Sequence, residues 1–398
     1  MPPHRNPACG NRVTGRYENT LAGSTVVPAF IPFTLPPRDP ALIVGDRIAG
    51  RLVLAEQALT RLDVAGAMVP SLDWFLYAFV RKEAVISSQI EGTQATLVDL
   101  LNFETEQDGS PGADLEEICN YLDAIGFARA ERANSLGLPL SIRLLNGAHL
   151  RLMRGVRGMN KQPGEIRRSQ NWIGGTRPGN AAFVPAPPLM LPGLLSDLEK
   201  YWHADDDLPN LIRAGLAHAQ FETIHPYLDG NGRIGRLLIA LLLEHWGLLQ
   251  APLLYLSLFF KRHREEYYRR LNAVRTEGDW EAWIDFFLDG VATIADEAVA
   301  SARELFAIVT RDRARVLAQD NIAVSAVRLF ERLPDHPVVT VANTMRLIDT
   351  SKPTATRAIQ ALVSAGVLVE TTGRKRDRGF AYRAYIDLLR IGTELERG

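Results

Sequence analysis

Twelve residues constrain this chain more than any others: His225-Pro226-Tyr227-Leu228-Asp229-Gly230-Asn231-Gly232-Arg233-Ile234-Gly235-Arg236. A helical pattern, Leu211 to Ile224, precedes them, and a nearly unbroken aliphatic run, Leu237 to Leu243, follows. The stretch is therefore expected to be a loop between two helices plus the first turn of the second. Pro226 disfavours helical backbone at His225, so the first helix should stop there with the imidazole at its end. Gly230 and Gly232 relieve Cβ crowding and let backbone N–H groups approach a ligand. A helix start carries unpaired N–H groups and a partial positive charge. Arg233 and Arg236, three apart, share a face of the opening turns. Together these features make a phosphate cradle. Asp229 offers a hard oxygen ligand for Mg²⁺, which accompanies phosphates. His225 offers a base that titrates near neutral pH. Each residue alone reads as part of an ordinary interhelical loop; the combination points to phosphate chemistry.

The stretch resembles the signature of Fic-domain proteins, H-P-F-x-[D/E]-G-N-G-R-x-x-R. It departs at Tyr227, where the family usually has Phe, and the swap keeps the aromatic ring. The resemblance covers roughly residues 10 to 300 and implies a mainly α chain with a Fic-fold helical core. The activity it implies is transfer of AMP from ATP to a Ser, Thr or Tyr hydroxyl of a protein, the chain itself included. His225 would take the target's proton and Asp229 would hold Mg²⁺. Gly230, Asn231, Gly232 and Gly235 would cradle the nucleotide, Arg233 its β-phosphate and Arg236 its γ-phosphate. Phosphoryl-type transfer needs these types because it is mostly positioning and charge stabilisation.

The chain has 398 residues, a formal net charge of −1 and two cysteines, Cys9 and Cys119. Bulk charge predicts neither a nucleic-acid coat nor attraction to a membrane. The cysteine usage fits a reducing compartment. With no apolar leader and no spanning run, a cytoplasmic location is expected. Residues 1–45 carry many prolines and are expected to form an extended arm. A helix follows over 42–62. The next starts near Leu72 and puts Phe75, Phe79, Ile86 and Ile90 on one face, with Ser87 and Glu91 beside it and Gly92 as a stop. Ser87 to Gly92 looks like the family's inhibitory motif, [S/T]-x-x-x-E-[G/N]. The resemblance implies that Glu91 pairs with Arg236 and displaces the γ-phosphate from its partner. A bidentate carboxylate–guanidinium pair competes well with a phosphate oxygen.

Helices are expected over 96–106, 115–133 and 141–157, then 189–203 and 208–224. Between them, residues 160–188 are rich in Pro and Gly. Asn171–Ile173 and Ala182–Val184 read as the strands of a small hairpin, with a structureless surface loop as the alternative. The resemblance implies a flap here, with Ile173, Gly174, Gly175 and Thr176 docking an extended target chain through main-chain hydrogen bonds. Phe259 to Arg275 reads as one helix. Its Tyr267 and Tyr268 are candidates for the adenine and ribose, against plain core packing. Residues 291–319 read as a spacer helix.

The final segment has the pattern of a winged helix-turn-helix: helices over 324–333, 341–348 and 351–364, then strands over 367–370 and 380–385. Thr354, Thr356 and Arg357 open the presumed recognition helix, and Arg374, Lys375, Arg376 and Arg378 make a basic wing suited to DNA. Such domains serve equally as protein–protein modules. The expected division is an arm (1–45), a helical region with the inhibitory helix (46–135), the catalytic core (136–300), a connecting helix (301–320) and the winged domain (321–398). Other readings are AMP removal, transfer of another phosphate-linked group, or a DNA-binding regulator. The resemblance is compatible with a homodimer, and nothing in the sequence identifies its surface.

Overall fold

The structure, a computed structural model, describes residues 12–68, 72–105, 111–155, 159–374 and 377–395. The chain opens with β1 (Gly15–Ala22) and β2 (Thr25–Pro32). Next come α1 (Asp46–Met68), α2 (Leu72–Ile90), α3 (Leu97–Thr105), α4 (Ala113–Ala133) and α5 (Ile142–Leu152). After an irregular stretch follow α6 (Leu191–His203), α7 (Asn210–Ile224) and α8 (Asn231–His245). Then come α9 (Ser257–Arg262), α10 (Arg264–Thr276) and α11 (Trp280–Leu317). The last segment holds α12 (Val324–Phe330), β3 (Val338–Thr340), α13 (Val341–Leu347) and α14 (Lys352–Ser364). It ends with β4 (Val369–Glu370), β5 (Gly379–Ala381) and α15 (Arg383–Leu389). By compactness the chain divides into two units: residues up to Asp63 with Cys119–Ala295, and Val64–Ile118 with the residues from Asp296 on.

The first unit is built on α7 and α8. Every residue of α7 from Leu211 to Phe221 is buried, as is every residue of α8 from Arg233 to Leu243. Helices apolar on all faces belong in the middle of a domain, and here they carry the loop between them. Gly215 lets α7 approach α11 closely: its carbonyl accepts from Trp283 Nε1 at 2.9 Å, and a Cβ there would meet Phe287 at 2.9 Å. Arg12 braces the periphery. It donates to both oxygens of Glu281, each at 2.8 Å, and the pair is buried.

In the second unit, Tyr77 and Arg81 of α2 both donate to Glu104 of α3. Thr105 Oγ1 donates to the carbonyl of Val338 in β3. The three short strands form one antiparallel sheet in the order β3-β5-β4. Buried Asp312 of α11 accepts from Arg311, Arg315 and Tyr382. Among the described residues, no helix is long and apolar enough to cross a membrane.

Four expectations need correcting. The described part of the N-terminal arm is a β-hairpin paired from Gly15↔Pro32 to Ala22↔Thr25, its two-residue loop turned by Gly23 at φ +63°. Val27 and Ala29 face a small core while Pro28 lies outside, where proline is tolerated. The helix expected over 259–275 is two helices, α9 and α10, broken at His263. The spacer helix expected over 291–319 begins earlier, residues 280–317 forming one helix. Finally, the strand expected to reach Tyr385 ends at Ala381, after which the chain turns helical. Lys375 and Arg376 of the expected basic wing, and Cys9, lie outside the described residues.

Gly215→Ala tests the α7–α11 packing. Overpacking of this kind costs about 1–3 kcal/mol. The thermal midpoint should fall by several degrees, at roughly 2–4 °C per kcal/mol for a unit of this size. An unchanged midpoint would contradict the close approach.

Candidate active site

The loop from His225 to Gly230 is held by its own side chains. Asn231, the first residue of α8, folds its amide back on Tyr227: Oδ1 accepts from the Tyr227 N–H at 2.9 Å and Nδ2 donates to the Tyr227 carbonyl at 2.8 Å. Asn171 donates to the same carbonyl at 3.0 Å. The Tyr227 ring is buried, stacks on His149 at 3.9 Å and donates its hydroxyl to Asn146. That partner explains how Tyr replaces Phe without an orphaned polar group. Gly230 caps α8 at φ +77°, and a Cβ there would meet Leu152 at 3.0 Å and Met153 at 3.1 Å. Both conformation and crowding therefore require glycine. The Asn231 side chain, expected in the cradle, instead belongs to the loop's frame.

His225 ends α7 in the left-handed region, φ 51° and ψ 62°, its N–H donating to Phe221 at 3.0 Å. Such backbone costs a non-glycine residue on the order of 1–3 kcal/mol and persists only where its surroundings enforce it. Arg167 enforces it here. Its Nε donates to the His225 carbonyl and its backbone N–H to the Pro226 carbonyl, each at 2.9 Å. Arg167 is 1 % exposed, and burial pulls its pKa down to about 10, still charged at neutral pH.

Asp229 is exposed at the mouth of α8. Its Oδ1 accepts from the Gly230 N–H at 2.6 Å and lies 3.7 Å from Arg233 Nη2. Its carbonyl accepts from His149 Nε2 at 3.0 Å. The Gly164 N–H donates to His149 Nδ1, which places the ring proton on Nε2. Burial lowers the His149 pKa to about 4, so this clamp is neutral. Among the described residues no three His, Cys, Asp or Glu side chains cluster to hold a metal ion. One exposed carboxylate fits Mg²⁺, which keeps waters and takes phosphate oxygens rather than a protein cage.

Arg233 and Arg236 are both buried on the opening turns of α8. The helix start and two guanidiniums add positive potential in a medium that screens it weakly. Gly235 follows one turn in, where a Cβ would meet Glu222 Oε1 at 2.3 Å. Its carbonyl accepts from His218 Nδ1 at 2.9 Å, and His218 Nε2 accepts in turn from the Tyr267 hydroxyl at 2.9 Å. Tyr267 is 1 % exposed, so its hydroxyl serves the core beneath α8. Tyr268 is 43 % exposed and remains the tyrosine of α10 that can meet a ligand.

The expected flap hairpin is reduced to one bridge. Ile173 donates to Phe183 at 2.8 Å and accepts from Ala182 and Phe183. Gly174 and Gly175 turn the chain at φ +67° and +73°, and Asn180 Oδ1 receives the N–H groups of Thr176 and Arg177. Glycines and a side-chain cap fill the span that strands would need. Residues 174–177 are exposed, whereas Phe183 is buried under the Arg275 guanidinium at 3.9 Å. The Phe30 N–H donates to the Val184 carbonyl, joining β2 to this segment.

Ser87 and Glu91 lie in the other compact unit. Ser87 is fully buried, and Glu91 is exposed just past the end of α2. A tight turn fixes it: Glu91 and Thr93 donate to the Ser88 carbonyl, and Gly92 sits at φ +104°. Sequence reasoning missed Arg167, His149 and His218. Arg167 stands beside exposed Arg168, and nothing in an Arg-Arg pair says which one is buried.

Residues 50–130 match the family model described as Fic/DOC family N-terminal, and residues 139–243 match Fic/DOC family. A protein adenylyltransferase Fic of Culex quinquefasciatus is 30% identical over 234 residues, 56% of this chain and 43% of that protein. One from Drosophila grimshawi is 29% identical over 254 residues, 61% of this chain and 49% of that protein. The chain thus spans about half the length of these curated relatives. A Fic family protein from Desulfovibrio desulfuricans has a similar fold, with TM-score 0.54 and 19% identity over 85% of this chain and 97% of that one.

The buried histidines set an acid limit. The His218 pKa is lowered by burial from 6.5 to about 3. Between these values the unfolded chain binds a proton that the folded chain refuses, so stability falls as pH falls from about 6.5 toward about 3. Urea midpoints measured across that window should decline less steeply in His218→Gln than in the parent. Equal slopes would contradict this assignment.

Proposed function

We propose, from the Fic/DOC family domains that this chain carries at residues 50–130 and 139–243, that it transfers AMP from ATP to a protein hydroxyl. One observation carries the reading: a histidine held at the end of α7 and two buried arginines on the opening turns of α8 flank one clamped loop. The target oxygen attacks the α-phosphorus, its proton passes to His225, and pyrophosphate leaves with the bonding pair of the broken P–O bond. The N–H groups at the start of α8 hold the phosphates, with Arg233 and Arg236 taking the negative charge. Asp229 would hold Mg²⁺, which when bound supplies further neutralisation of the phosphates. Ile173 spends its N–H and carbonyl on the bridge and Thr176 its N–H on Asn180, so of the expected docking stretch Gly174 and Gly175 present main-chain groups to an extended target.

Glu91 acts in this reading as a brake on Arg236. The test uses ATP labelled at the α-phosphate with Mg²⁺ and a cell lysate. Glu91→Gly should label protein many-fold more than the parent, and adding His225→Ala or Arg236→Ala should abolish the label. Equal labelling by parent and Glu91→Gly would end the brake; label surviving His225→Ala would end the base.

The C-terminal order of helix, strand, two helices and two strands supports a winged helix-turn-helix, with Thr356 and Arg357 exposed early in α14. One wing cation, Arg378, is paired with Glu370. If this face reads DNA, Arg357→Ala should weaken binding and flatten its dependence on salt. Failure of the parent to shift a DNA fragment at low salt would leave a protein–protein module.

A further inference from the structure

The guanidinium of Arg167 reaches three places at once. Nε donates to the His225 carbonyl, Nη1 to the Ser169 carbonyl at 3.3 Å, and Nη2 to the Ala186 carbonyl. Ser169 precedes the Ile173–Phe183 bridge and Ala186 follows it. The two Nη atoms therefore hold both feet of the exposed turn at 174–177, while Nε holds the residue proposed as the base. Gln170 tightens the same feet by donating to the Pro185 carbonyl at 2.8 Å. Every hydrogen bond of the guanidinium ends on a main-chain carbonyl, and among the described residues no carboxylate pairs with it. A buried arginine spent wholly on carbonyls fixes backbone geometry rather than balancing charge, a role suited to its rigid planar fork.

We infer that Arg167 is a positioning residue that locks the His225 backbone and the two feet of the flap turn into one rigid piece. A target chain laid along the turn is thereby placed in register with the imidazole that takes its proton. The inference rests on the AMP-transfer reading and deepens it, because it assigns the alignment of base and target to a residue that touches neither nucleotide nor target. Misplacement of a reacting group by about 1 Å costs on the order of a hundredfold in rate.

The test compares Arg167→Lys and Arg167→Met with Arg167 in the Glu91→Gly chain. Lysine keeps the charge but cannot serve three carbonyls from a planar fork; methionine keeps bulk and no donors. With AMP transfer as readout, kcat should fall about a hundredfold in Arg167→Met, and by less in Arg167→Lys. KM for ATP should stay within about twofold, because the nucleotide cradle is built on α8. A parallel readout is the ¹³Cε1 resonance of His225, identified by its loss in His225→Ala, which should shift and broaden in both variants. Unchanged kcat, or kcat and KM for ATP changing together, would overturn the inference. If Arg167→Met fails to fold, Arg167→Lys decides by the same criteria. If the Glu91→Gly chain transfers no AMP, the functional reading has failed, and the resonance alone decides: an unperturbed His225 signal overturns the positioning role.

Discussion

The side-chain amide of Asn231 closed on the main-chain N–H and carbonyl of Tyr227 is the interaction on which the rest of the site depends. It ties the first residue of α8 to the loop that leaves α7, so the loop cannot open without breaking two hydrogen bonds away from water. Once closed, the loop offers the Tyr227 carbonyl to Asn171, the Asp229 carbonyl to His149 and the Pro226 carbonyl to Arg167. Buried polar groups of this kind are costly unless each finds a partner, so the carbonyls paired here stiffen the loop. Rigidity suits a site that acts by positioning. If the site holds a phosphate as proposed, donors already in place would need no reorganisation when charge develops.

The frame around the loop is apolar and was legible from the sequence. An unbroken aliphatic run after Arg236 can only be a buried helix, and α8 is one. Pro226 after His225 marked the end of α7 to the residue. The helix expected to start at 141 does so with Ser141 as its cap, accepting from the Leu144 N–H at 3.2 Å. These are local rules, in which a residue's effect is decided by its neighbours in the chain.

What the sequence hid is non-local. His149, His218 and Arg167 act on carbonyls 80, 17 and 58 residues away, and nothing in their own surroundings marks them as buried. The N-terminal hairpin was hidden for a different reason. Its prolines argue against a strand in general, yet Pro28 sits on an exposed position of a two-stranded ribbon while Val27 and Ala29 pack inward. Tyr267 shows the same limit at the site itself: a tyrosine beside another tyrosine on α10 reads as a ligand contact until the fold hands its hydroxyl to His218. Nor does local pattern reveal that the stretch ending in Glu91 packs with the C-terminal segment. Gln89 donates at once to the carbonyls of Ala95 and Thr393, near and far in the chain but in one compact unit.

The central claim is that the closed loop and the start of α8 form a nucleotide phosphate site with His225 beside the α-phosphorus. A crystal structure of the Glu91→Gly chain with Mg²⁺ and a non-hydrolysable ATP analogue tests it most directly. The account predicts phosphate oxygens within hydrogen-bonding distance of the N–H groups at the start of α8, guanidinium contacts from Arg233 and Arg236, and the His225 imidazole on the open side of the α-phosphorus. A nucleotide bound elsewhere, or with its phosphates turned away from α8, would contradict it.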